Sequence, residues 1–180
     1  MKTAKAFSPA GISSFFEICD TLPNGKPITD LEKVGARGGG FGIKKGGTTE
    51  VYVTEAEKSG NSISIYINGR NAPEAETTRT VVNMLLERAS GCYNVKVRHW
   101  VDVPIGAGFG TSAGGALTTA LALSRALGLK LTMLNADKIE IQSDNLEEIA
   151  SYAARELAER LGLKVIVEDA GLFIRSLNGF

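Results

Sequence analysis

Pro104-Ile105-Gly106-Ala107-Gly108-Phe109-Gly110-Thr111-Ser112-Ala113-Gly114 places a glycine at every second position and runs straight into the apolar stretch Ala113 to Leu127. Glycine opens backbone conformations closed to other residues and lets the chain approach a ligand closely. A helix that starts directly after such a loop aims its free N–H groups and the positive end of its dipole outward, which suits a phosphate. Thr111 or Ser112 is expected to cap that helix, and Gly128 is its stop signal. No lysine follows the glycines, so this is not a Walker A loop, and the GxGxGTS spacing differs from the dinucleotide fingerprint. Taken alone, the stretch also reads as a tight turn that only lets a strand and a helix pack closely.

Upstream of the loop, alternating apolar residues predict strands at Ala4 to Phe7, Glu50 to Thr54, Ser62 to Ile67 and Asn94 to Val101. Between the last two, Val81, Val82, Leu85 and Leu86 recur at helical spacing within Ala75 to Ala89, with Glu74 and Glu76 near the start. This order predicts an α+β domain, a mixed sheet covered on one face by helices. Downstream, Lys130 to Asn145 has no clear period. A helix is then expected over Leu146 to Leu161, ended by Gly162, and two strands over Lys164 to Glu168 and Leu172 to Ser176. No internal repeat is evident.

The 180 residues suffice for one compact domain with a small appendage, and 43% apolar content is ordinary for a single core. Twenty basic residues balance twenty acidic ones, and no Lys/Arg run exceeds Lys44-Lys45, so neither nucleic acid nor a membrane surface is an expected partner. Cys19 and Cys92 match no metal or redox spacing and read as free buried thiols. The basic start Met1-Lys2-Thr3-Ala4-Lys5 is followed by no long apolar run, and Ala113 to Leu127 is too short and polar to span a bilayer. A soluble cytoplasmic protein is the expectation.

The glycine loop gains meaning from two segments far from it. Pro104 to Ala113 resembles the second motif of the GHMP kinases, in which a proline precedes Gly-x-Gly-Ser-Ser-Ala at a helix start, with Thr111-Ser112 standing for the Ser-Ser pair. Ser8-Pro9-Ala10-Gly11-Ile12-Ser13-Ser14-Phe15-Phe16-Glu17 resembles the first motif, a Pro-Gly turn and an apolar stretch ending in Glu. Ile12 departs from the basic residue usual there. The wording of this segment, and of Gly35-Ala36-Arg37-Gly38-Gly39-Gly40-Phe41-Gly42, is similar to the archaeal pantoate kinases. The resemblance runs from Lys2 to about Leu129.

It implies a GHMP kinase N-terminal domain over 1–129, of the fold shared with a ribosomal-protein domain, and a short C-terminal remnant of helix and two strands over 130–180. It implies an ATP-dependent kinase that phosphorylates the hydroxyl of pantoate, with Mg²⁺. Pro104, Gly106, Ala107, Gly108, Phe109, Gly110, Thr111, Ser112 and Ala113 would wrap the ATP phosphates. Ser112 would approach the metal, and Thr111, Ser112 and Glu17 are the catalytic candidates. Ser13, Ser14, Arg37 and Gly38 would meet the substrate. Arg37 carries a planar fork that suits a carboxylate or phosphate, and it reads equally as a solvated hairpin-tip cation. Glu17 and Asp20 read either as orienting a hydroxyl or as solvating a loop, and Ser13 and Ser14 are also ordinary turn formers. Lys5 reads as a phosphate ligand or a solvent-facing strand residue. His99, the single histidine, reads as structural or exposed rather than catalytic.

The resemblance then stops. A Gly-Leu-Gly-Asp-Val-type stretch with its acidic residue is expected after the second-motif helix and is not found, and a third glycine-rich motif is missing. Leu146 to Ser176 weakly resembles the last helix and strands of the GHMP C-terminal domain, so the chain reads as an internally shortened family member. Rival readings are a non-catalytic or partner-dependent nucleotide-binding module, a kinase of another small alcohol, and an RNA-binding domain. Many such kinases dimerise, and a homodimer is a further expectation.

Overall fold

The computed structural model describes residues 1–30, 33–56, 60–130, 146–162 and 165. The chain divides into two compact units, Met1–Gly11 with Gly42–Met133, and Ile12–Phe41 with Leu134–Phe180. The described elements are β1 (Lys2–Cys19), β2 (Gly35–Glu55), β3 (Ser62–Ile67), β4 (Arg70–Asn71), α1 (Glu76–Leu86), β5 (Tyr93–Val101), α2 (Thr111–Leu127) and α3 (Leu146–Leu161).

The strands form one sheet in the order β1-β2-β5-β3-β4. β5 pairs antiparallel with β2, setting Val51 opposite Val97 and Thr49 opposite His99. It pairs parallel with β3, setting Ile65 opposite Val97, so the sheet is mixed as expected. Along β5 burial alternates strictly, with Val95, Val97 and His99 inward and Asn94, Lys96, Arg98 and Trp100 outward, because successive side chains leave opposite faces of a strand. The inward face meets two helices. Val81, Val82, Leu85 and Leu86 of α1 and Ala116, Ala120, Leu123 and Ala126 of α2 pack with Val51, Val53, Ile65, Val95 and Val97 in one core. Full burial of a side chain such as Leu85 or Leu123 stabilises the fold by roughly 2 kcal/mol each. On the outer face, Arg98 lies over the Tyr52 ring at 5.3 Å.

β3 turns into β4 through Asn68-Gly69, whose φ angles of 49° and 80° are both left-handed. Such a pair suits a two-residue hairpin connection. The Asn68 side chain reaches across to β5: its Oδ1 accepts the Val101 N–H at 2.8 Å and its Nδ2 donates to the Val101 carbonyl at 3.3 Å. β5 is thereby tied down at the end from which the glycine loop departs.

In the second unit, β1 from Ile12 and β2 up to Phe41 continue as strand, and the Thr21–Pro27 bridge closes a turn in which Gly25 has φ 76°. α3 spans Leu146–Leu161 and Gly162 follows with φ 60°, so the stop read from the sequence holds. The expected strands Lys164 to Glu168 and Leu172 to Ser176 lie outside the described residues, apart from Val165.

Two expectations are corrected. The Pro-Gly turn expected at Pro9-Ala10-Gly11 and the hairpin tip suggested around Arg37 are both continuous strand. Gly38, Gly40 and Gly46 of β2 are there for clearance: a Cβ on Gly38 would lie 2.6 Å from the Phe15 carbonyl oxygen. On Gly46 it would strike the Ser8 carbonyl oxygen. These residues let two backbones approach, a demand that sequence reading takes for a turn. The cysteines are free, as expected, but half-buried rather than buried.

Candidate functional site

The loop between β5 and α2 is exposed at Pro104 to Gly108 and at Gly110. Gly106, Gly108 and Gly110 take φ of 75°, 78° and 68°, whereas Ala107 and Phe109 between them do not have positive φ. Alternation of this kind curls successive backbone N–H groups toward a common centre and makes a concavity for anions. A Cβ on any of these three glycines would meet nothing within 4 Å, so conformation and not crowding requires glycine here.

Gly110 itself is the N-cap of α2, and no side chain caps the helix. The expected capping by Thr111 or Ser112 is thus overturned. The cap position falls one residue earlier, on a glycine in the left-handed region, which has no side chain to offer. The first intrahelical bond runs from Gly114 N–H to the Gly110 carbonyl at 3.0 Å. The N–H groups of Thr111, Ser112 and Ala113 precede it and belong to the donors that a helix start leaves over. No acidic residue occupies the first turn to compete for them.

The first motif meets this loop. Gly11 N–H donates to the Phe109 carbonyl at 3.2 Å, and the space beside Gly114 is taken by Ser8, whose Oγ would be 3.3 Å from an added Cβ. A cavity of about 470 Å³ opens alongside, within the range of ligand sites. Gly106, Thr111, Ser112 and Gly115 line it from the loop side, Glu74, Glu76 and Thr78 from the start of α1, and Thr49 and His99 from the sheet.

His99 is 5% exposed, and burial lowers its pKa from 6.5 to about 4, so the ring is neutral near pH 7. The structure therefore gives the histidine a structural setting on the cavity wall. Thr49, Thr78 and Thr118, buried hydroxyls around it, were not singled out by sequence reasoning. They sit on three different elements, and no local pattern joins them.

The other candidates lie in the second unit. Ser13, Ser14 and Glu17 are exposed on β1, and Arg37 and Gly38 are exposed on β2. Lys5, on the first unit's part of β1, is exposed as well. Among the described residues no three of His, Cys, Asp or Glu cluster as a metal site. A Mg²⁺ carried on nucleotide phosphates commonly takes few protein oxygens. Thr111 and Ser112, which line the cavity and carry hydroxyls, fit that limited role.

The profile of the GHMP kinases N terminal domain matches residues 76–158, which contain α1, β5, the loop and α2. The pantoate kinase of Thermococcus kodakarensis is 38% identical over 129 residues, 69% of this chain and 39% of that protein. The chain carries a GHMP kinase N-terminal domain. A solved structure described as a phosphotransferase related to the CoA biosynthesis pathway is similar to this chain with TM-score 0.56 at 34% identity, covering 71% of this chain and 41% of that one. A different kinship accompanies it. The dITP/XTP pyrophosphatase of Methanopyrus kandleri is 58% identical over 53 residues, 29% of this chain and 28% of that protein. The chain thus spans about two fifths of the kinase relative and under a third of the pyrophosphatase relative. Among the described residues no helix is long and apolar enough to cross a membrane.

Proposed function

We propose that residues 104–114 bind the phosphates of ATP and that the chain belongs to an ATP-dependent kinase acting on the hydroxyl of pantoate. The observation that carries this reading is the exposed loop of alternating φ sign at an uncapped helix start, beside a cavity of about 470 Å³. The similarity to a pantoate kinase supports the choice of acceptor.

In this reading the loop N–H groups hold the β- and γ-phosphate oxygens, and the Thr111 and Ser112 hydroxyls orient them. Mg²⁺, when bound with the nucleotide, neutralises charge between the phosphates. Ser13, Ser14, Arg37 and Gly38 hold the acceptor, with Arg37 on its carboxylate, and Glu17 orients the attacking hydroxyl. The acceptor oxygen forms a bond to the γ-phosphorus, the bond to the β-phosphate oxygen breaks, ADP leaves, and the hydroxyl proton passes to solvent or to Glu17.

The 58% identity favours a second element in the same chain. We propose that residues 130–180 are the pyrophosphatase-like part, in place of the remnant of a second GHMP domain. The motifs shared with the kinases lie before Leu129, and the remainder of the chain is nearly as long as the 53-residue similarity. The GHMP profile reaches residue 158, and in the shared stretch a 58% identity weighs more than a family average.

Titration calorimetry with MgATP, paired with an assay of ADP release, tests the first reading. Binding with pantoate-stimulated release is the expected result. Binding without release assigns the chain a nucleotide-binding role alone, and absence of binding overturns both. Pyrophosphate release from ITP tests whether the second element acts by itself.

A further inference from the structure

Thr49 of β2, Thr78 of α1, His99 of β5 and Thr118 of α2 meet beside the cavity, each under a tenth exposed. Each hydroxyl has one proton to give, and a neutral imidazole has one, so the direction of every bond can be counted. Thr118 donates to the Gly114 carbonyl at 2.7 Å. With that proton committed, it accepts from Thr49 at 2.5 Å. Thr49 in turn accepts from His99 Nδ1 at 2.8 Å. Nε2 is then the bare nitrogen, and Thr78 donates to it at 3.1 Å. Every group is satisfied in this arrangement; among the described residues no buried side-chain nitrogen or oxygen lacks a partner.

We propose that His99 is a positioning residue for the phosphate loop, its Nδ1–H setting a one-way chain of hydroxyls that ends on the Gly114 carbonyl in the first turn of α2. That turn needs outside support. It has no capping side chain, and the pair Gly114-Gly115 lowers its own helical preference. The same glycines give the clearance that the arrangement uses, since a Cβ on Gly115 would lie 3.8 Å from His99 Cε1. A fixed first turn holds the Thr111, Ser112 and Ala113 amides in one direction, so that ligand binding does not have to order them. The geometry stands by itself, and its effect on a ligand rests on the phosphate-binding reading above.

The test uses the full chain, with ¹⁵N spectra and titration by magnesium tripolyphosphate, a probe without a base. The His99 ring is expected to show a protonated Nδ1 and a bare Nε2; the reverse tautomer overturns the proposal. Thr118→Val keeps shape and removes the hydroxyl. It is expected to shift the amide signals of residues 110 to 114 and weaken tripolyphosphate binding about tenfold, as loss of one buried hydrogen bond does. Thr118→Ser restores both, which a purely steric role would not require. Unmoved loop amides in Thr118→Val overturn the proposal, as do moved amides with unchanged affinity. If the unaltered chain binds no tripolyphosphate, the phosphate-binding reading fails, and the loop amides and ring tautomer still decide the role of His99.

Discussion

Glycine is dense in two places, along β2 from Gly35 to Gly47 and in the loop from Gly106 to Gly110, and the two use it for opposite reasons. At Gly38, Gly40 and Gly46 of β2 the backbone is ordinary strand and the missing atom matters: a Cβ on Gly46 would run into the Ser8 carbonyl of β1. In the loop there is space for a Cβ at Gly106, Gly108 and Gly110, and the left-handed φ matters instead. One set serves the packing of two strands. The other serves the direction of N–H groups. Identical letters thus give a structural element in one place and a candidate binding element in the other.

The contrast breaks most sharply at Gly46. Gly46→Val should destabilise the fold by roughly 3 kcal/mol, because a backbone atom and not a flexible side chain must give way; a denaturation midpoint close to that of the parent would refute the clearance argument. On the loop side, His99 ties burial to pH. Its folded pKa of about 4 lies below the ordinary 6.5, so between those values the unfolded chain takes up a proton that the folded one refuses. Stability is full well above pH 6.5 and declines toward pH 4, by roughly 3 kcal/mol at this site. The drop should shrink in His99→Asn when denaturation is followed over the same pH range. Gly108→Ala should lower stability by only about 1 kcal/mol, the strain of a left-handed alanine, yet weaken MgATP binding several-fold in calorimetry. Gly47→Ala should change the denaturation midpoint least, by under about 0.5 kcal/mol, since nothing lies within 4 Å and no positive φ is involved. Equal losses at Gly46 and Gly47 would erase the distinction within β2 itself.

These glycines also show what the sequence made legible. β3 and the end of α3 were readable to the residue, and α2 to within one, because their periodicity is local and the helices' stop glycines are simple. The conformation of the glycine loop was readable because alternate glycines before a helix have a local physical meaning. β1 and β2 are far longer than their apolar patterns, since Gly38, Gly40 and Gly46 answer to a partner strand some thirty residues away in the chain. The hydroxyl chain was hidden for the same reason. Its members come from four elements, and the one cue was the alternation of β5, which puts His99 on the same face as Val95 and Val97. The roles of Ser13, Ser14, Glu17, Arg37 and Gly38 rest on resemblance and stay within the proposal.

The Asn68-Gly69 hairpin carries a consequence for how the protein ages. Asparagine before glycine is prone to lose its amide nitrogen, because the following N–H attacks the side chain with little steric hindrance. Here both ends of that amide are held on Val101, at 2.8 Å and 3.3 Å, which opposes the rotation that attack requires. Once Asn68 becomes aspartate, the donor facing the Val101 carbonyl is replaced by a repelling oxygen, and the strand end that launches the glycine loop loosens. Chemical wear at one exposed dipeptide would then reach the proposed nucleotide site through Val101, which lines the cavity.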